Sequence, residues 1–346
     1  MDLFWIDKKR DVKKTYGELV DDLNEKNSFH RYIYFDNPYQ IFLELVFGIA
    51  SGRNLKLLDS DFSETELEKL DIDFKSEVAG ESVDRIEVQD FVGLMKKIRS
   101  SKCEISMFTS GTTGTPKEIT HSLESMTRGV KIEDRFEDNI WAFAYNPTHI
   151  AGLQVFFQAF FNQNPMVNIF DLRKTNISKV FADYNITNIS ATPTFYRTKL
   201  SHLLKNTNSV KSVTFGGEKL DPMTKDKMRE VFPNAKFRNI YASTEAGSLF
   251  GSKGEIFEIS EDQRPYINIS DEDELLVHKD LLGDSDDYDL DGEWYHSGDI
   301  VERVADNKFK FVSRKTEEIN VGGYQVNPHE VEEQIMKLDG VKEVLV

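Results

Sequence analysis

Short apolar runs alternate with longer amphipathic stretches through the middle of this chain, and no other feature constrains the fold as strongly. The runs with the length and apolar character of strands are IWAFAY (140–145), PMVNIF (165–170), ITNISAT (186–192), SVTFGG (212–217) and KFRNIYAS (236–243). The stretches with helical character are 122–136, 194–204 and 221–232. Strands that alternate with helices at this spacing are typical of an α/β protein with mostly parallel sheets.

Several helix boundaries have local signals. Asp221 precedes Pro222, which predicts an N-cap followed by the first helical residue. The sequence Ser-Glu-Thr-Glu at 63–66 reads as a capping box. Near the other end, Asn327 precedes Pro328 and a stretch with apolar periodicity that stops at Gly340. We therefore expect helices to begin at these three places.

Length and charge narrow the class of protein. The chain has 346 residues, and single cores stop growing at roughly 250–300 residues, so we expect two domains or one large one. Its 43 basic and 60 acidic residues give a net charge of −17, which argues against nucleic acid as a general partner. A polyanionic ligand would have to be met by a few well-placed cations.

The cellular compartment is also constrained. Cys103 is the single cysteine, so no intramolecular disulfide can form, and this suits a reducing compartment. No run approaches the ~20 apolar residues of a membrane span, and MDLFWIDKKRD at the N-terminus has no apolar signal-peptide core. We expect a cytoplasmic protein with no membrane span.

The composition of the chain changes after residue 280, and this indicates a domain boundary in the C-terminal part. The segment 280–292, DLLGDSDDYDLDG, is acidic and resembles a linker, and short alternating segments and one helix follow it. We predict a large N-terminal α/β domain over residues 1–314. The start of a small α+β domain is expected over residues 315–346.

A loop rich in hydroxyl side chains and glycine follows an apolar lead-in at 107–121, MFTSGTTGTPKEITH. Gly111 and Gly114 would let backbone N–H groups approach an anion closely, and Lys117 adds a positive charge. Pro116 stands where a Walker A loop needs glycine, so the loop is not of that type. The same composition is common in solvated turns, and these residues alone leave both interpretations open.

The wider pattern resolves this ambiguity. SGTTGTPK resembles the phosphate-loop signature of the adenylate-forming superfamily, which contains acyl- and aryl-CoA synthetases, adenylation domains of peptide synthetases, and luciferases. His121 resembles a common companion of that loop. Further segments resemble family motifs in family order: TYGELVDDLN (15–24), GIASGRNLKLLDSD (48–61), NPTHIAGLQ (146–154), FGGEKL (215–220), YASTEAG (241–247), WYHSGD (294–299) and SRKTEEINVGGYQVNPHEVEEQI (313–335).

The resemblance implies an ATP and Mg²⁺ site. Lys117 and the loop would hold the β- and γ-phosphates, Thr244 would contact the α-phosphate, and Glu245 would bind Mg²⁺. A Thr-Glu pair without this context is usually a helix cap or surface. The implied phosphate-loop residues are Thr109, Ser110, Gly111, Thr112, Thr113 and Gly114.

The resemblance also implies how the nucleoside is bound. Tyr241 would stack on adenine, Asp299 would accept hydrogen bonds from both ribose hydroxyls, and Arg314 would reach the ribose. Taken alone, these residues are more typical of a core tyrosine, a turn aspartate and an exposed strand cation. The backbone beside adenine would be that of Gly216, Gly217 and Glu218.

His149 is implied to lie beside the carboxylate pocket and to gate it, although a histidine between a strand and a helix is more often structural. Candidate pocket walls are residues 190–192 and 246–248. The 25 phenylalanines favour an aromatic or fatty acid as substrate, although most of them belong to the core. The implied acceptor of the acyl group is coenzyme A or the phosphopantetheine thiol of an acyl carrier protein.

Some positions depart from the family pattern. They are Ala242, Ser313, Thr316 and Asn320. The largest departure is at the end, where Lys337 and Lys342 do not fit the context of the lysine that the family's lid brings to the reacting carboxylate. We expect the domain over 315–346 to be incomplete, by truncation or by nature. The leading hypothesis is an acyl- or aryl-CoA ligase. The alternatives are an adenylating enzyme that loads a carrier protein and a degenerate nucleotide- or acyl-adenylate-binding module without turnover.

Overall fold

The fold is taken from a computed structural model, which describes residues 2–59, 62, 64–70, 72, 80–109, 116–200, 207–315, 319–321, 324–326, 328–335, 338, 340–341 and 344. The chain forms two compact units. Unit 1 comprises Met1–Leu249 and Leu282–Asp287, and unit 2 comprises Phe250–Leu281 and Tyr288–Val346. This division does not follow the predicted boundary between residues 314 and 315, which stays a prediction.

The α-helices of the described residues are α1 (Tyr16–Glu25), α2 (Pro38–Ser51), α3 (Glu64–Lys69), α4 (Phe91–Arg99), α5 (Leu123–Thr127), α6 (Ile150–Phe161), α7 (Lys174–Tyr184), α8 (Pro193–Phe195), α9 (Pro222–Val231) and α10 (Pro328–Ile335). Single helical turns of other types lie at Asp134–Phe136, Tyr196–Leu200 and Lys279–Leu281. None of the helices in this part of the chain is both long enough and apolar enough to cross a membrane.

The strands of the same residues are β1 (Leu3–Asp7), β2 (Val12–Thr15), β3 (Ser28–Phe29), β4 (Tyr32–Ile33), β5 (Leu55–Leu57), β6 (Glu81–Ser82), β7 (Glu104–Thr109), β8 (Lys117–Ser122), β9 (Trp141–Phe143), β10 (Met166–Asn168), β11 (Asn188–Ala191), β12 (Ser212–Gly216), β13 (Lys236–Ser243), β14 (Gly247–Ser252), β15 (Ile256–Glu258), β16 (Ile267–Ile269), β17 (Glu274–His278), β18 (Leu290–Asp291), β19 (Trp294–Ala305), β20 (Lys308–Arg314), β21 (Ile319–Val321) and β22 (Tyr324–Val326).

The largest sheet has the strand order β14-β13-β12-β11-β9-β10-β1-β2. The neighbours from β13 through to β1 pair in parallel, and β2 pairs with β1 antiparallel. Strands β9 to β13 all lie inside the five runs that the sequence predicts. The predicted class, an α/β protein with mostly parallel sheets, is confirmed.

A second sheet in unit 1 has the order β4-β5-β7-β8. Strands β4, β5 and β7 are parallel, whereas β8 returns antiparallel to β7, with Thr109 opposite Lys117. The glycine- and threonine-rich loop is therefore the connection of a β-hairpin. Its residues 110–115 lie outside the described residues.

Two helices that the sequence analysis did not identify fill the core of unit 1. Helices α2 and α6 are apolar on nearly all sides and are mostly buried. Phe42 of α2 stacks on Phe156 of α6 with ring centroids 4.4 Å apart, and Trp5 of β1 packs edge-on against Phe42. An apolar helix of this kind is stable only when it is surrounded by other elements.

One of the predicted helices is confirmed and another is wrong. Helix α9 begins as predicted, because Asp221 caps it by accepting a hydrogen bond from the Thr224 N–H at 2.7 Å. The helix predicted over 122–136 is wrong, because only α5 and one short turn form there. Tertiary hydrogen bonds explain the difference: the Lys131 N–H donates to Gln158 of α6, and the Lys131 carbonyl accepts from Gln158 and from Asn162.

The other predicted starts fall at α3 and α10. Both helices are present, and they begin directly after Ser63 and Asn327, which lie outside the described residues.

Unit 2 is built around an antiparallel sheet of order β15-β20-β19-β17-β16, with β18 paired to β19. Phe309 packs edge-on against Phe250, at 5.1 Å between ring centroids, and lies beside Phe257 at 5.7 Å. The predicted linker over 280–292 is corrected in part, because its residues 282–287 belong to unit 1.

Candidate active site

The hairpin of β7 and β8 carries the predicted phosphate loop. Lys117 is the first residue of β8 and is half-buried. The remaining implied loop residues are Thr109, whose side chain is not described, and Ser110, Gly111, Thr112, Thr113 and Gly114, which lie outside the described residues. Their predicted contacts with phosphate stay predictions, and Lys117 is the member of the set whose position the structure gives.

His121, four residues further along β8, is 1% exposed. Its Nε2 atom lies 2.7 Å from the carbonyl oxygen of Thr244, and its Nδ1 atom lies 3.2 Å from the Ser125 hydroxyl. Because a carbonyl oxygen can only accept, the ring proton is on Nε2, and Ser125 donates to Nδ1. Burial lowers the pKa of His121 below its ordinary value, although the hydrogen bond to Thr244 works against this, so the imidazole is neutral.

Thr244 and Glu245 form the turn between β13 and β14, and both are half-buried. The carbonyl of Thr244 accepts from His121, and the carbonyl of Glu245 accepts from the Gly283 N–H at 2.8 Å. The Ala246 N–H donates to the Ser243 hydroxyl at 3.2 Å. Two consecutive peptide groups at the predicted α-phosphate and Mg²⁺ positions are thus fixed by residues far away in sequence.

The segment 282–287 supplies one of these contacts and is itself bound to β8. Thr120 and Asp284 exchange backbone hydrogen bonds of 2.8 and 2.7 Å, and the Ser285 hydroxyl donates to the Glu118 carbonyl at 2.6 Å. Gly283 lies so close to β8 that an added Cβ would be 2.8 Å from the Thr120 carbonyl oxygen. The sequence analysis missed this role because the contacts are made by backbone atoms and the composition resembles a linker.

The predicted adenine side lies at the carboxyl ends of β12 and β13. Gly216 is the last residue of β12 and pairs with Ile240, and Tyr241 comes next in β13. Gly217 has φ +82°, which favours glycine, and Glu218 accepts a hydrogen bond from the Thr194 N–H at 2.9 Å. Ligands of open α/β sheets bind at such carboxyl ends, so the arrangement fits the implied role of these four residues.

Tyr145, which the sequence analysis missed, lies beneath Gly216. Its hydroxyl is 3.5 Å from the Gly216 carbonyl oxygen and 3.4 Å from the Ser190 hydroxyl. Burial raises the pKa of Tyr145, so the phenol is protonated. Ser190, at the wall predicted for the acid, is therefore connected to the predicted adenine loop through one buried phenol.

His149 stands directly before α6, and its Nε2 atom contacts Asp59 Oδ2. Asp59 follows β5 and also accepts a hydrogen bond from Asn146 Nδ2 at 2.8 Å. The side chain of His149 is 51% exposed, whereas that of Asp59 is 13% exposed. Asp59 therefore holds one edge of the imidazole. The sequence analysis missed Asp59, whose position after a strand of the sheet was the available signal.

The spacing between His149 and Gly152 also has a physical reason. A Cβ on Gly152 would lie 2.2 Å from the Asn146 carbonyl oxygen. The first turn of α6 can approach the preceding loop only with glycine here, and this close approach places His149 beside Asn146 and Asp59.

In unit 2, the structure brings Asp299 and Arg314 together. They face each other across β19 and β20, and Arg314 Nε donates to Asp299 Oδ1 at 2.9 Å. Asp299 is buried, and its N–H donates to the Ser297 hydroxyl at 3.1 Å. The guanidinium is thus already a partner of the carboxylate that is predicted to hold the ribose.

A second buried carboxylate in unit 2, Glu274, escaped the sequence analysis. It accepts hydrogen bonds from His296 at 2.8 Å, from Lys315 at 2.9 Å and from the Gly298 N–H at 2.8 Å. Burial alone would raise the pKa of Glu274, but these three donors hold it below its ordinary value. Glu274 therefore braces both the strand that carries Asp299 and the residue after Arg314.

The fit of Mg²⁺ can be judged from the donors present. Within the described residues, no three His, Cys, Asp or Glu side chains converge to hold a metal ion. Mg²⁺ is commonly bound through one or two carboxylates together with substrate phosphates. A single carboxylate at Glu245 fits that mode, with ATP supplying the other ligands.

Comparison with known proteins gives a consistent picture. A family model described as AMP-binding enzyme matches residues 46–268. The chain is 23% identical over 290 residues to surfactin synthase subunit 2 of Bacillus subtilis, covering 69% of this chain and 8% of that protein. It is 25% identical over 262 residues to a putative long chain fatty acid–CoA ligase of Staphylococcus epidermidis, covering 69% and 56%. The chain thus spans less than two thirds of the length of these curated relatives.

The fold has close counterparts among solved structures. O-succinylbenzoate coenzyme A synthetase from Bacillus subtilis, solved in complex with ATP and magnesium ion, aligns with a TM-score of 0.68 at 17% identity, over 97% of this chain and 82% of that one. At this identity the likeness is one of fold.

Proposed function

This chain belongs to the AMP-binding enzyme family, whose members form adenylates, and we propose that it activates a carboxylic acid with ATP and passes the acyl group to a thiol. One observation carries the proposal. Strand β8, which begins at Lys117, is hydrogen-bonded, through His121, to the turn that carries Thr244 and Glu245. The residues implied to hold the phosphates and the metal are thereby joined within unit 1.

In the first half-reaction, an oxygen of the substrate carboxylate attacks the α-phosphorus of ATP. A carboxylate–phosphorus bond forms, the bond between the α-phosphorus and its bridging oxygen to the β-phosphate breaks, and pyrophosphate leaves. Such transfers depend on in-line positioning and on neutralising the phosphate charge. Lys117 supplies positive charge, Thr244 a hydroxyl donor and Glu245 a carboxylate for Mg²⁺, which shields the phosphates when bound.

In the second half-reaction, a thiolate attacks the acyl carbon and AMP leaves. The kinship with a fatty acid–CoA ligase supports coenzyme A as the acceptor, and the kinship with surfactin synthase supports a carrier-protein thiol. We favour coenzyme A. Loading of free coenzyme A, compared with loading of a phosphopantetheinylated carrier protein, separates the two acceptors.

The test is ATP–pyrophosphate exchange with a panel of fatty, aryl and amino acids. We expect exchange with at least one acid, and a loss of about 10²–10³-fold in Lys117→Ala and in Glu245→Gln. The first variant removes the positive charge implied at the β- and γ-phosphates, and the second removes the carboxylate implied to bind Mg²⁺. Lys97→Ala, on the exposed face of α4, is the matched control and should exchange as the unchanged protein does.

Two results would contradict the proposal. Tight ATP binding without exchange for any acid would favour a nucleotide-binding module without turnover. Failure to bind ATP at all would remove the assignment of the loop at 107–121.

A further inference from the structure

We propose that His121 and Gly283 are positioning residues, which fix the peptide groups of Thr244 and Glu245 and so aim their side chains at the α-phosphate and Mg²⁺. The roles of Thr244 and Glu245 rest on the proposed function. The contacts that hold them rest on geometry within unit 1.

The first step is the direction of the imidazole. His121 is buried, so its Nε2–H needs an acceptor inside the protein, and the acceptor is the Thr244 carbonyl at 2.7 Å. The Ser125 hydroxyl at 3.2 Å fixes the opposite edge of the ring. Because both ring nitrogens are hydrogen-bonded, the imidazole is held in one orientation. The Thr244 carbonyl must then be directed at the Nε2 atom.

The second step is the next peptide. The Glu245 carbonyl accepts from the Gly283 N–H at 2.8 Å, and Gly283 lies against the same imidazole, where an added Cβ would be 2.8 Å from His121 Cε1. The packing of Gly283 against His121 therefore supports the hydrogen bond from Gly283 to the Glu245 carbonyl. The two fixed carbonyls belong to the peptide groups on either side of the Glu245 Cα atom, so the direction in which the Glu245 side chain leaves the backbone is fixed as well. Thr244 is held on its carbonyl side.

The third step ties this arrangement to the phosphate loop. Lys117 and His121 lie in the same strand, β8, and the Thr120–Asp284 pair secures that strand to the segment 282–287. A strand rises about 3.3 Å per residue, so β8 sets a distance of roughly 13 Å between Lys117 and His121. The cation and the turn are thus held at a set spacing by paired backbone.

Positioning of this kind should affect rate more than affinity. A misplacement of about 1 Å at a catalytic group can lower the rate by about 10²-fold. The resemblance implies further contacts for ATP away from this turn, so the KM for ATP should respond less.

The experiment compares His121→Leu with His121→Gln. Glutamine can keep a donor near the Nε2 position, whereas leucine of similar size cannot. In ATP–pyrophosphate exchange, corrected for the folded fraction, we expect His121→Leu to lower kcat about 100-fold with the KM for ATP within threefold. His121→Gln should recover kcat to within tenfold of the unchanged protein. Lys97→Ala, on the exposed face of α4, is the control and should stay within about threefold of the unchanged protein.

A second readout does not depend on turnover. Hydrogen–deuterium exchange of residues 241–249 in the ATP-free protein should be faster in His121→Leu and in Gly283→Ala, and close to normal in His121→Gln. A folded His121→Leu variant with normal kcat, or normal exchange of 241–249 in both disruptive variants, would overturn the inference. If the unchanged protein activates no acid, the proposed function fails, and the deuterium readout still decides whether His121 and Gly283 fix the turn.

Discussion

The turn at Thr244 and Glu245 in unit 1 and the strand β19 in unit 2 both carry residues implied to bind the nucleotide, yet they are held in different ways. In unit 1 the holding groups are a neutral imidazole and a backbone N–H, and both act on carbonyl oxygens. In unit 2 the groups held are carboxylates, Asp299 and Glu274, and their partners include cations.

The difference follows from what must be buried. A carbonyl oxygen needs only a donor, so a neutral partner is sufficient. A carboxylate loses far more hydration when it is buried, and it stays ionised only if several donors or a cation compensate. Unit 1 therefore fixes the direction of backbone groups with little dependence on charge. Unit 2 fixes side-chain carboxylates, and its arrangement is therefore sensitive to the loss of a charge.

The largest expected effect tests the charged arrangement. Glu274→Leu removes the acceptor of the Gly298 N–H, His296 and Lys315, and we expect the free energy of unfolding to fall by about 2–4 kcal/mol. Urea denaturation measures this change.

Glu272 provides the matched control. It is largely exposed and lies 3.8 Å from the same Lys315, so Glu272→Ala should change the free energy of unfolding by less than about 0.5 kcal/mol. Equal losses in the two variants would show that burial of Glu274 is not what distinguishes unit 2.

The second expected effect is a difference in stability between two glycine-to-alanine variants, one in each unit, because the two glycines are required for different reasons. In unit 1, Gly152→Ala places a Cβ 2.2 Å from the Asn146 carbonyl oxygen, so we expect a loss of about 1–3 kcal/mol and a shift of His149. In unit 2, Gly298 has φ +75° and open space around an added Cβ, so Gly298→Ala should lose about 1 kcal/mol through backbone strain. Thermal unfolding of both variants checks the order, and a larger loss in Gly298→Ala would reverse the comparison.

The sequence predicted well the elements whose signals are local. Strands β9 to β13 have apolar runs of strand length, and α9 has an aspartate and a proline at its start. Helices α2 and α6 were missed because they are apolar on nearly all sides, and periodicity distinguishes a helix only when one face is polar.

The site was predicted less completely, because several of its contacts join distant residues. Asp59 meets His149 across 90 positions, and Tyr145 meets Gly216 across 71. Neither pair has a local pattern. The segment 282–287 was predicted to be part of a linker because acidic composition is visible in a sequence, whereas the backbone hydrogen bonds of Gly283 and Asp284 leave no mark on residue type.

The smallest expected effect is a difference in acid sensitivity between the two units. The pKa of His121 is lowered below its ordinary value of 6.5, so the unfolded chain takes up this proton first. Its contribution to stability is present above pH 6.5 and is lost as the pH falls below that value. The pKa of Glu274 is lowered below 4.5, so its contribution is present above pH 4.5 and is lost as the pH falls through the folded-state pKa.

Free energies of unfolding measured between pH 8 and pH 3 would separate these two windows. His121→Gln should flatten only the part of the profile that begins at about pH 6.5, and Glu274→Gln should flatten only the part below about pH 4.5. The pKa of His121 is also affected by nearby charges: Arg128 lowers it, whereas Glu245 and Asp284 raise it. Because these effects oppose each other, the window that begins at pH 6.5 should remain. An unchanged profile in His121→Gln would mean that the imidazole is not held neutral by burial, and the contrast between a neutral brace in unit 1 and a charged one in unit 2 would no longer hold.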